Sequence, residues 1–215
     1  MPRGKNLEPL IVEARGKLYD WFDQLDETAW LEPSLCEGWT IQDVAAHLTI
    51  ATRASTTEVL RLCIRSRGGF DTAMDFGVRE LRSLSPSELM VVLREQHRQV
   101  VPLPVLGYES PYVDIVTHAF DVMVPRGQTP ELDPNGRRDL LNALSRGPLR
   151  RYFPSPSHTH GLQATDADWS SGDISGTADQ ASTAELVLWY TGRDPRAINP
   201  HTVLAPASPR SSLST

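Results

Sequence analysis

The sequence predicts a mainly α protein, a four-helix bundle followed by a small C-terminal α/β appendage. Three observations predict it. Apolar residues recur at spacings of three and four through residues 7–145, the period of a helix that buries one face. Short stretches marked by Pro, Gly and Ser separate these runs, as expected for helices that pack beside their sequence neighbours. Beyond Phe153 the period is lost, and short strand-like runs alternate with turns rich in Ser, Gly and Asp. The expected organisation is a helical bundle over residues 5–150, an α/β subdomain over 154–193 and a disordered tail over 194–215.

Taken in order, Leu7, Leu10, Ile11, Ala14, Leu18, Trp21, Phe22 and Leu25 place one apolar stripe on a first helix. Between Asp26 and Gly38 the period breaks at Pro33, Ser34 and Gly38 while Trp30, Leu31, Leu35 and Trp39 stay apolar, so a structured loop with one short helical turn is expected. Thr40 opens a second helix: with Asp43 three residues on it resembles a capping box, and Ile41, Val44, Ala45, Leu48, Ala51 and Leu60 carry the stripe towards Gly68-Gly69. A third helix over residues 73–84 would use Met74, Phe76, Val78 and Leu81. Ser85-Pro86-Ser87-Glu88 caps a fourth over 89–99, which Pro102-Leu103-Pro104 stops. Ser110-Pro111 starts a fifth that runs to about Val124, and Pro134 leads into a sixth over about 135–145. In the appendage, residues 158–164 look like a strand and Ser182 to Tyr190 form an apolar run with Gly192 placed as a helix stop. From Asp194 onward prolines and serines follow no period, hence the expected tail.

A chain of 215 residues buries a core without covalent staples. Its 21 basic and 27 acidic residues give a net charge of −6 with no stripe of Lys and Arg, which argues against a nucleic-acid partner. The two cysteines, Cys36 and Cys63, form neither a disulfide framework nor a zinc knuckle, and suit a reducing, cytoplasmic compartment. No signal peptide is expected at the N-terminus, and no window approaches the roughly 18 apolar residues of a membrane span. The oligomeric state stays open, a homodimer included.

Asp114 and His118 are four residues apart, so on a helix they leave one face with Cβ atoms roughly 6 Å apart. That is how a helix presents two ligands to one metal ion. His47, beside the buried stripe of the second helix, is a third candidate. Buried polar groups without partners are costly, and metal ligation would satisfy all three at once. A metal-free alternative is that each histidine has found its own hydrogen-bond partner. Asp43, one turn before His47, and Asp121, three residues after His118, are second-shell candidates to accept a ring N–H. Asp43 is equally a helix cap, and Asp121 equally a solvated or salt-bridged acid. In a rival arrangement Asp43, His47, Asp114 and His118 would form four ligands and close the site. Cys36 reads as a reactive thiol or as a small buried residue. His158 and His160 alternate as strand neighbours would, a weak metal pair or simply solvent-exposed. Neither His97 nor His201 carries a signal.

Several segments taken together resemble a known family. Cys36-Glu37-Gly38-Trp39-Thr40-Ile41-Gln42-Asp43-Val44-Ala45-Ala46-His47-Leu48, the stretch from Asp114 to Asp121, Ala164-Thr165-Asp166-Ala167-Asp168-Trp169 and Thr191-Gly192-Arg193 are similar, in order and spacing, to the mycothiol-dependent maleylpyruvate isomerase family. The resemblance spans about residues 5 to 193. It implies a DinB-like four-helix bundle with a divalent metal, usually zinc, held by His47, Asp114 and His118. It also implies a thiol cofactor such as mycothiol, a small electrophile as substrate, and Arg193 as a holder of a substrate carboxylate; capping of the preceding helix is the alternative for Arg193. Three protein ligands leave a position open, the pattern of a catalytic site. The activity implied is isomerisation or transfer of the thiol, with a non-catalytic metal- or ligand-binding regulator as the alternative. The family's isomerase is expected to carry Glu where this chain has Asp114. The shorter acid demands closer helix approach, which leaves metal binding in place and the isomerase substrate open.

Overall fold

The computed structural model describes residues 7–53, 61, 64–66, 70–100, 106–146, 148–151, 153, 160–176 and 178–205. The chain divides into two compact units, Met1–Pro125 and Arg126–Thr215. The first is helical: α1 (Glu8–Phe22), α2 (Ile41–Arg53), α3 (Phe70–Leu81), α4 (Pro86–Glu95) and α5 (Glu109–Met123). Here α1 packs on α4 and α5, α2 packs on the same two helices, and α3 lies against α2. The four helices α1, α4, α2 and α5 therefore form a closed ring around one core. Among the described residues, no helix is long and apolar enough to cross a membrane.

Local chemistry explains where these helices begin. Pro9 sits in the first turn of α1, where its missing N–H costs nothing. Ser85 and Glu88 form a reciprocal capping box at the start of α4, with Pro86 in the first turn. At α2 the Thr40 N–H donates to Asp43 Oδ2 at 3.0 Å and the Asp43 N–H donates to Thr40 Oγ1 at 3.2 Å, a box closed by the shorter acid. The loop before α2 contains the expected turn, a 3-10 helix over Ala29–Leu31, whose Trp30 stacks on Phe22 at 5.2 Å between ring centroids. Gln42 ties the start of α2 to the end of α3 by donating to the Leu84 carbonyl at 2.8 Å. The continuation of the second helix to Leu60 falls outside the described residues, as do Cys63 and His158.

The second unit has α6 (Pro134–Ser145), a three-stranded sheet and α7 (Thr183–Tyr190). The strand order is β2 (Ser170–Ser171), β1 (Leu162–Ala164), β3 (Asp179–Ala181), with β1 antiparallel to β2 and parallel to β3. Asp133 caps α6 by accepting from the Gly136 N–H at 2.7 Å. The structure corrects two expectations of organisation. The division falls at residue 125 and not near 150, because α6 packs against α7; a helical period shows that a face is buried but not against which neighbour. Nor are residues 194–205 a disordered tail. Asp194 caps a 3-10 helix over Pro195–Ala197, Asn199 donates to Glu185 Oε1 at 3.0 Å, and Leu204 is buried. Composition made these residues look like tail because it carries no sign of the packing of Pro195–Ala197 on α7 or of the bond from Asn199 to Glu185; residues 206–215 lie outside the description.

Two features of this unit make direct predictions. A Cβ on Gly161 would fall well inside contact distance of the Asp173 carbonyl oxygen, 2.7 Å from its carbon and 2.8 Å from Ile174 Cγ2. Gly161→Ala should therefore destabilise by about 2 kcal/mol, read as a lower denaturant midpoint at unchanged slope. Gly176→Ala, with open space around its Cβ, should stay within about 0.5 kcal/mol. The second feature is Glu185. Burial raises its carboxyl pKa, but bonds from Ser182, Thr202 and Asn199 outweigh that and hold it below the usual value. The stabilisation this supplies is full above the unfolded-chain value, about 4.3, and is lost as pH falls through the lower folded value. Glu185→Gln, which still closes the capping box, should flatten that acid limb in a stability-versus-pH series; an unchanged limb would exclude Glu185 as its source.

Candidate metal centre

Gly38, with φ of 75°, lets the chain turn back immediately before α2. Across this turn the Trp39 N–H donates to the Cys36 carbonyl at 3.0 Å and the Ser34 N–H to the Trp39 carbonyl at 2.9 Å, while Pro33 and Thr40 form an isolated bridge. The turn thus fixes Cys36 and Trp39 beside the first turns of α2, and the Leu35 N–H pins it to α5 through the Asp121 carbonyl at 2.9 Å. Because α2 and α5 are neighbours in the ring, His47 of α2 faces Asp114 and His118 of α5.

His47 Nε2 lies 3.2 Å from Asp114 Oδ1, and His118 Nε2 lies 3.6 Å from the same oxygen. The three ligand atoms fall within 4.8 Å of one another. His47 is buried and His118 nearly so, whereas the Asp114 side chain keeps 30% of its surface exposed. The imidazoles meet edge to face, 4.6 Å between centroids. Trp39 stands against both rings, at 5.4 Å from His47 and 6.4 Å from His118, and its indole N–H is fixed on Asp75 Oδ1 at 2.8 Å. On the far side of His118, Nδ1–H donates to Asp121 Oδ2 at 2.9 Å, and that oxygen also accepts from the Cys36 thiol at 3.1 Å. Asp121 is completely buried.

The electrostatics follow from this arrangement. Burial pushes the Asp114 carboxyl up, yet the adjacent His47, then His118 and Arg15, more than offset it and hold the carboxyl below its usual range. Burial would lower the His118 imidazole, but hydrogen bonds with Asp121 and Cys36 and the charge of Asp114 raise it well above its usual value. Two imidazole nitrogens and one carboxylate oxygen are a donor set that suits zinc, and the Asp121 bond keeps the proton of His118 on Nδ1, leaving Nε2 for an ion. The residues present therefore fit a divalent metal.

Other expected site residues are placed differently. Asp43 does not orient His47: it closes the α2 cap and takes a two-pronged bond from Arg82, at 2.8 and 3.1 Å, while His47 Nδ1 is buried with no hydrogen-bond partner among the described residues. The capping geometry turns the Asp43 side chain back towards the helix start, away from the next turn. For the same reason Asp43 does not complete a four-ligand set. Arg193 belongs to the second unit, where its Nη1 donates to the Thr191 carbonyl at 2.8 Å beyond the Gly192 helix stop. His160 is exposed.

The sequence reading missed Arg15 and Tyr19. Both are buried on α1, one turn apart, and both sense the charge of Asp114. Arg15 donates to the carbonyls of His97 and Gln99, at 3.3 and 2.7 Å, while burial, with Asp114 adding to it, pushes the Tyr19 phenol up to about 12. The signal was present, since Arg15 and Tyr19 continue the Ile11–Leu18–Phe22 stripe, but a stripe read by apolar type alone skips a guanidinium.

Comparison with known proteins places this geometry. Residues 11–102 match the family model described as the mycothiol maleylpyruvate isomerase N-terminal domain. The fold matches the crystal structure of a histidine-to-alanine mutant of the mycothiol-dependent maleylpyruvate isomerase, with a TM-score of 0.55 and 15% identity over 88% of this chain and 89% of that one. At that identity the likeness is one of fold. No curated protein matches the sequence. Over residues 11–102 the sequence is thus similar to the mycothiol maleylpyruvate isomerase N-terminal domain, and over most of the chain the fold is similar to that of the isomerase.

Proposed function

We propose that His47, Asp114 and His118 hold one divalent ion, zinc by donor type, and that the chain is a metal-dependent transferase or isomerase. It would use a low-molecular-weight thiol, mycothiol by family, on a small electrophile. The observation that carries the reading is the convergence of three ligand atoms from two neighbouring helices, each on a residue a metal needs. When bound, such an ion lowers the pKa of a coordinated thiol and polarises a carbonyl. The chain's own residues do the rest. Asp121 holds the His118 proton on Nδ1, Asp114 supplies the negative charge at the centre, and Trp39, locked by Asp75, limits ring movement of both histidines. The role of Arg193 as a carboxylate holder rests on the resemblance alone. A reducing cytoplasm, in which Cys36 stays a thiol and the low-molecular-weight thiol is available, is the proposed setting.

The test is conjugation of low-molecular-weight thiols to halogenated arenes, epoxides and conjugated enones by metal-loaded protein. Turnover that His118→Ala abolishes supports the enzyme, and retention or loss of the thiol in the product separates transfer from isomerisation. Silence across thiols and electrophiles, with metal bound, would leave a binding protein of the same fold.

A further inference from the structure

The face of His118 turned away from His47 and Asp114 carries a second set of donors. Cys36 Sγ lies 3.1 Å from Asp121 Oδ2 and 3.8 Å from His118 Nδ1, and the carboxylate oxygen lies 2.9 Å from that nitrogen. All three atoms fall within 4.8 Å of one another. A tetrahedral ion the size of zinc, with bonds of about 2.0–2.3 Å, requires ligand–ligand edges of roughly 3.3–3.8 Å, so the set needs shifts of a few tenths of an ångström, and a larger ion such as cadmium spreads the three ligands further. The thiol is held there by the backbone: the Cys36 N–H donates to Ser34 Oγ at 3.1 Å, and the next residue back bonds the Asp121 carbonyl. Cys36 is half-buried, which gives a route from solvent, while Asp121 has none of its surface exposed.

We propose that Cys36, Asp121 and His118 Nδ1 form a second metal site, selective for thiophilic divalent ions such as cadmium. Thiolate and carboxylate together neutralise a divalent ion, and the soft sulfur sets the preference. On binding, the Cys36 S–H bond breaks, a sulfur–metal bond forms and that proton leaves to solvent. His118 gives up its Nδ1 proton to solvent, and the proton the ring keeps sits on Nε2, 3.6 Å from Asp114 Oδ1, which accepts from it. His118 is then lost to His47 and Asp114, so the two sites compete for one imidazole. The second site shares His118 with the function proposed above but does not depend on that function.

The experiment titrates metal-free protein with Cd2+ alone and follows the thiolate-to-cadmium charge-transfer band in the ultraviolet. A second readout is protection of Cys36 from alkylation, which needs no variant. Expected are a band and protection in the wild type, both retained in Cys63→Ser and in His47→Ala, and the band lost in Cys36→Ser and His118→Ala. Asp121→Asn should weaken the cadmium affinity. Absence of the band in wild type, its survival in Cys36→Ser or full affinity in Asp121→Asn would overturn the site. Loss of the band in His47→Ala would also overturn it, by showing that Cys36 serves the first set of ligands. Failure of the first site alone reads differently: His47→Ala would then leave zinc content unchanged while the cadmium band behaves as expected.

Discussion

His47→Ala and His118→Ala should each lower zinc affinity by at least about 100-fold, leaving purified protein with little metal where the wild type holds about one ion per chain. The size of the effect follows from coordination number. Removing one of three protein ligands leaves two, and even outer hydrogen-bond partners of a ligand are worth about 10- to 100-fold. His118 should be the costlier loss, because its ring is held by Asp121 while the His47 Nδ1 has no partner among the described residues. Metal analysis after chelator-free purification, followed by competition with a chelator of known affinity, gives the numbers. Wild-type protein that neither retains nor takes up a divalent ion would remove the site and the mechanism with it.

Asp121→Ala should lower zinc affinity by about 10- to 100-fold although the residue is outside the set proposed to touch the ion. It leaves the His118 ring N–H and the Cys36 thiol without the completely buried carboxylate acceptor they share. Asp121→Asn keeps a carbonyl acceptor for Nδ1–H and should recover part of the loss. Equal affinity in wild type, Asn and Ala variants would show that Asp121 serves only to anchor the turn through its backbone carbonyl, which receives the Leu35 N–H.

Much of this was legible before any coordinates. Ser85 with Glu88 and Thr40 with Asp43 marked helix starts because capping is local chemistry, decided within four residues. The bundle positions of His47, Asp114 and His118 were legible because a helix converts spacing directly into a shared face. What stayed hidden depends on partners distant in sequence. Asp43 looked equally able to cap or to hold His47, and the arrival of Arg82 from the end of α3 decides the matter. Cys36 gave no sign of meeting Asp121, since only the turn at Gly38 and the bond from Leu35 bring them together. Asn199 looked like tail for want of any local clue to Glu185 on α7.

The buried, unpartnered Nδ1 of His47 has a kinetic meaning. A ligand ring clamped at its second nitrogen must break a hydrogen bond to swing off an ion, whereas the His47 Nδ1 meets no acceptor among the described residues and the ring is flanked by those of Trp39 and His118. Ion exchange at this centre would therefore begin at the α2 end, with His47 leaving first and α5 holding the ion through Asp114 and His118. If a divalent ion is held here, its removal by chelator in a rapid-mixing experiment should be slowed by a His47 neighbour engineered to accept Nδ1–H.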